Sequence, residues 1–146
     1  MYPVLLQIHH YLSYLVVLLA VYVTVKAWIG FTGKKRFLPA DEKSGLVYSI
    51  LFDIQVLAGL ILYVFVSPIT KAGFADMGAT MKNADLRFYV IEHIMVMLIA
   101  LILVHIGRSK TKKAHTDISK HKTSAIFYTI ALVLILSRFP WDKIFG

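Results

Sequence analysis

Apolar and polar positions along the chain separate into four long apolar runs, roughly Pro3–Trp28, Leu46–Val66, Phe88–Gly107 and Ser124–Phe139, divided by polar segments. The first three each supply the ~20 residues that cross ~30 Å of hydrocarbon at ~1.5 Å per residue, and the fourth lies near the short limit. The runs are continuous. They lack the two-residue alternation of a barrel strand, and a bilayer accepts only helices or closed barrels. The pattern therefore predicts an all-α integral membrane four-helix bundle, one domain over residues 1–146.

Composition strengthens that expectation. The 146 residues are 58% hydrophobic and 16% charged, against the ~45–50% apolar usage of an ordinary soluble domain. No Lys or Arg precedes the first run, which is too long for a signal peptide and is followed by no small-residue cleavage site. The expected mature chain begins at Met1. The net charge of +8 raises nucleic acid as a partner, but ten of the sixteen Lys and Arg lie in two connecting loops. These are Lys34, Lys35, Arg36 and Lys43, then Arg108, Lys110, Lys112, Lys113, Lys120 and Lys122. Both loops fall on one side of a four-helix weave. By the positive-inside rule that side is cytoplasmic, which puts the Ser67–Arg87 loop and both termini outside. Membrane lipids, with anionic headgroups at the inner face, are then the expected partners, and no nucleic acid.

The absence of cysteine removes iron–sulfur clusters, thiolate metal sites and covalent c-type haem. No phosphate-binding glycine loop, nucleophile elbow or metalloprotease motif is present. Function must then be sought among polar groups inside the apolar runs, where each ionisable residue is costly and so a candidate. They are His9, His10, Asp53, Gln55, Glu92, His93, His105 and Arg138. His9 and His93 both sit about six residues inside the outer ends of their runs, ~9 Å deep. The face of His9 continues through Ser13, Ala20, Thr24 and Ala27, and that of His93 through Met97, Ala100 and Gly107, small residues that suit a bundle interior. His10 leads a bulkier face and is held in reserve. Gly59, beside Ala58, offers close backbone approach for a flat ligand.

Two imidazoles at matched depth in an apolar bundle fit one b-type haem, whose iron takes one nitrogen from each side. Its propionates would turn outward toward Arg87, Arg138 or Lys82, and Glu92, Ser13 or a backbone carbonyl would orient the rings. Met97 would touch the porphyrin edge. His105 has no histidine opposite it for a second haem, and His115 and His121, among lysines, read as solvated. A zinc or copper site lacks a third ligand at matching depth. The plainer alternative is that the histidines are interfacial groups or interhelical hydrogen bonders. Tyr2, Trp28, Tyr128 and Trp141 suit interfacial aromatic belts.

Short motifs run along nearly the whole chain: Leu5-Leu6-Gln7-Ile8-His9 with Leu12 and Tyr14, Gly59-Leu60-Ile61-Leu62-Tyr63 leading to Ser67-Pro68, and Arg87-Phe88 with Glu92-His93 and Met97. Ile106-Gly107-Arg108-Ser109-Lys110 and Pro140-Trp141 complete the set. In these the chain resembles a family of small four-helix bacterial membrane proteins described as cytochrome b. The resemblance implies haem b held by His9 and His93, in a multi-pass protein of the bacterial inner membrane. The expected role is one-electron transfer with a quinol or redox partner protein, as a homo- or hetero-oligomer or alone, rather than stand-alone enzymatic turnover. Two other readings stand beside it: a haem-free accessory subunit of a larger membrane complex, and a small proton-coupled transporter using Asp53, Glu92 and His93.

Overall fold

The structure, a computed structural model, describes residues 2–66 and 68–139. Ser67 and the Pro140-Trp141 pair lie outside the described residues, as do the side chains of Tyr2 and Pro68. Among the described residues every regular element is a helix: α1 (Tyr2–Thr32), α2 (Pro39–Ile61), α3 (Pro68–Ala75), α4 (Met77–Lys82), α5 (Ala84–Arg87), α6 (His93–Lys113) and α7 (Asp117–Ser137). Two wider π-helical turns, Leu62–Val66 and Phe88–Glu92, extend α2 at its end and lead into α6.

Three continuous helices, Pro3–Thr32, Pro39–Phe65 and Ala84–Lys113, are long and apolar enough to cross a membrane. They overrun the apolar stretches of the sequence because their ends have polar partners. Pro39 needs no donor at the first position of α2, and the Asp41 carboxylate accepts the Leu38 N–H at 2.8 Å. The segment between α2 and α6, expected as a loop, contains the short helices α3, α4 and α5. Local caps make them: the Asp76 carboxylate accepts from Ala79 N–H, and the Asn83 side-chain oxygen accepts from Asp85 and Leu86 N–H. α7 has the length of a span, but Asp117, Lys120 and Lys122 occupy its first two turns and it falls outside the three spanning helices.

The four long helices pack in the ring order α1–α2–α6–α7 around a core built from all of them, including Val16, Ala20, Tyr48, Phe52, Ala100, Val104, Tyr128 and Ala131. Glycines decide how α7 sits. A Cβ on Gly30 of α1 would lie 2.4 Å from the His121 ring, on Gly45 of α2 2.6 Å from the Tyr128 hydroxyl, and on Gly107 of α6 2.5 Å from Phe127 Cβ. Each of the other three long helices thus gives up a side chain where α7 crosses it, the small-residue packing that apolar helices use in place of a hydrophobic driving force.

Two expectations change here. Tyr128 is buried, edge-on to Tyr48 with ring centres 5.7 Å apart, and so is a core residue instead of a belt residue. His121 is buried too, against Gly30 and Phe37, with Nε2 donating to the Arg36 carbonyl at 3.2 Å. That bond, with the Lys120 ammonium 5.7 Å above the Phe37 ring, brings both basic connectors to the same end of the molecule. At this end Lys26 pairs with Asp41 at 3.2 Å, and Arg108 reaches Glu42 at 2.7 Å and the Ser49 hydroxyl at 3.4 Å.

Candidate functional site

At the opposite end the helices part. α1, α2 and α6 surround a cavity of about 670 Å³, to which α3 adds Ile69, α7 adds Ile135 and the segment after α7 adds Phe139. That volume lies within the ~300–1,000 Å³ of sites that bury a cofactor-sized ligand. The lining is mostly apolar, and its polar groups include the imidazoles of His9, His10 and His93 and the amides of Gln7 and Gln55. Both π-helical turns border it, the first through Leu62 and Tyr63, the second through Tyr89, one turn before His93. Such wide turns shift the side chains that follow them off the regular helical register, and they occur often at functional sites.

Of the residues expected to build a site, His9, His10, His93, Gly59 and Met97 all lie on this wall. The His9 and His93 rings face each other from α1 and α6, with centres 6.5 Å apart and planes crossed at 86°. A metal bonded end-on to one nitrogen of each ring, at ~2 Å per bond, sets the ring centres roughly 6 Å apart. His93 Nδ1 donates to the Arg138 carbonyl at 2.9 Å, which leaves Nε2 with its lone pair for a ligand. The Gln55 side chain donates to the His9 carbonyl at 2.8 Å and ties α2 to α1 beside the ring. His9 Nδ1 and Gln55 Oε1 are buried without a hydrogen-bond partner among the described residues, a cost that a bound ligand can relieve.

Geometry separates the neighbouring histidines. His10 borders the cavity, but its Nε2 is 3.0 Å from the Tyr14 hydroxyl, and the Ser13 hydroxyl donates to the His10 carbonyl. Ser13 therefore serves the α1 backbone and orients neither ring of the facing pair. The space above Gly59 is taken by His9, whose Cε1 would stand 3.0 Å from a Cβ there. Gly59 makes room for the imidazole.

Arg87 and Arg138 do not border the cavity. They share Glu92, with Arg87 Nε 3.0 Å and Arg138 Nε 3.7 Å from its two oxygens. Arg87 also donates to the Met81 carbonyl at 2.9 Å, and Lys82 is exposed at the end of α4. Glu92 thus anchors the arginines, and through Arg138 it fixes the carbonyl that holds His93. Nothing along the chain marks this carbonyl, because backbone acceptors carry no residue signature. Asp53 lies away from the cavity and bonds His105.

No family model matches the chain, and neither does any curated protein or solved structure. The chemistry of the site is therefore read from its own groups. Among the described residues no cluster of three or more His, Cys, Asp or Glu side chains converges on one point. Two facing imidazoles in an apolar pocket suit an ion whose remaining ligands come from a planar macrocycle.

Proposed function

We propose that this chain is a membrane-embedded b-type haem protein, with one haem held between His9 and His93 near the outer face. In this reading α7 is the fourth crossing, both termini are outside, and the basic connectors face the cytoplasm of a bacterial inner membrane. The protein exchanges single electrons with a quinol or a redox partner protein. The observation that carries the proposal is the crossed His9–His93 pair, 6.5 Å apart on the wall of a largely apolar cavity of about 670 Å³. The His93–Arg138 bond, which sets tautomer and orientation, supports the same reading.

When bound, the haem supplies an iron that gains or loses one electron; the chain supplies ligands, position and dielectric. Apolar walls, Val16, Val17, Phe52, Val56, Ile94 and Leu98 among them, would keep water from a bound haem. Arg87 and Arg138 share the Glu92 carboxylate away from the cavity wall, so their net positive charge would act on propionates only from a distance. Met97 lines the pocket one turn inward from His93, suited to a porphyrin edge.

Absorption spectroscopy of the purified, detergent-solubilised protein tests the proposal. The expected result is a Soret band with a sharp α-band on reduction. A colourless, stable preparation from cells supplied with ample haem overturns it and favours a haem-free accessory subunit or a transporter. Glu92→Gln gives a finer check. It removes the charge that holds both arginines and loosens the Arg138 carbonyl on His93. Haem affinity should fall ~10–100-fold, the usual effect of losing a supporting partner of a metal-bound histidine, while the low-spin spectrum persists in the fraction that retains haem.

A further inference from the structure

Asp53 of α2 and His105 of α6 form a second polar pair, remote from the cavity, on the outer surface of the bundle. Oδ1 of Asp53 lies 2.7 Å from Nε2 of His105, and each side chain is 46% exposed. The pair lies in the half that carries the basic connectors: Asp53 is one turn beyond Ser49, which Arg108 contacts, and His105 is one turn before Arg108. Around it the exposed surface is aliphatic, with Ile50, Ile54 and Leu57 on α2 and Ile102 and Ile106 on α6. Ionisable groups in spanning helices almost always face the bundle interior or a water-filled cavity, because hydrocarbon offers them no partner. This pair faces outward. Among the described residues its members bond only each other, which leaves the second carboxylate oxygen and the second imidazole nitrogen without protein partners.

We infer that the α2–α6 face is a contact surface for a second copy of this chain, centred on Asp53 and His105. The chemistry favours a copy over other occupants because the pair is self-complementary. It holds one acceptor and one donor side by side, so a two-fold rotation brings the carboxylate of each copy toward the imidazole of the other. A surface group of a single charge would repel its own image. The flanking isoleucines and leucines then meet as apolar ridges, and the four polar groups become mutually bonded and screened from lipid.

The test uses the absence of cysteine from the chain. Single-cysteine variants are reconstituted in liposomes at low protein-to-lipid ratio and oxidised. Leu57→Cys and Ile102→Cys report on the proposed face. Leu18→Cys on α1 and Val133→Cys on α7, equally exposed on the opposite edge of the ring, are controls. The expected result is disulfide-linked dimer from the α2–α6 positions well above the controls. Adding Asp53→Ala with His105→Ala should weaken dimerisation roughly tenfold, the scale of two symmetric interhelical polar contacts, while the thermal unfolding profile of the protomer is retained. Equal cross-linking from both faces overturns the inference, as does a yield indifferent to loss of the pair. A monomer in liposomes that is captured through this face by a different membrane protein overturns it as well. Cross-linking needs no haem, so its outcome is independent of the proposed function.

Discussion

With haem held as proposed, His93→Ala should leave the purified protein without visible haem absorption and its helical content unchanged by circular dichroism. The cavity wall at this position is an imidazole held from behind by the Arg138 carbonyl, and no other described side chain offers a nitrogen from α6 to the same space. Truncation would remove one of the two imidazoles proposed to hold the haem. The loss in retained haem should exceed the ~10–100-fold that follows removal of a mere supporting partner. His9→Ala should behave alike. His10→Ala should keep its haem, since the His10 ring is engaged with Tyr14. Added imidazole should restore part of the His93→Ala absorption by entering the vacated space. Full haem content in His93→Ala would refute the assignment of this residue, and loss in His10→Ala with retention in His9→Ala would move the α1 ligand by one position.

A large structural effect is expected far from that site. Gly107→Ala should destabilise the bundle in detergent by ~1–3 kcal/mol, the usual cost of forcing an extra carbon into a packed contact. The new Cβ would meet Phe127 Cβ at 2.5 Å. A Cβ is fixed to its backbone, so no rotamer change relieves the overlap and α6 must move away from α7. The check is a thermal or denaturant unfolding series in which the cost of Gly107→Ala is measured again in a Phe127→Gly background. There the opposing carbon is gone and most of the cost should vanish. An undiminished cost would mean that the glycine acts through helix propensity alone.

The three helices long and apolar enough to span were legible because their signal is local: an uninterrupted apolar run of membrane length carries its own instruction whatever its neighbours do, whereas the fourth run became a helix, α7, that falls outside them. The pairing of His9 with His93 was legible for a related reason, since equal depth in two parallel segments follows from counting residues along known axes. Contacts between helices were less so. Nothing in the run of lysines around His121 indicated that its ring fills the notch at Gly30. Tyr128 read as interfacial by type, yet it lies in the core against Tyr48. Arg87 and Arg138 were plausible as separate cations; that they share Glu92 required the end of α7 to meet the start of α6.

Alone, the sequence determined that the chain is helical, where its apolar segments run and which histidines lie at the same depth, because each depends on periodicity and distance along a single helix. Only the tertiary structure decided that those two imidazoles share a cavity, that His10 is taken by Tyr14, that the Arg138 carbonyl just past α7 orients His93, and that Asp53 and His105 face outward together. The rotation of each helix about its axis selects these contacts. That rotation is set by close packing against neighbours, above all where glycines admit α7, and a linear pattern of apolar residues leaves it undetermined.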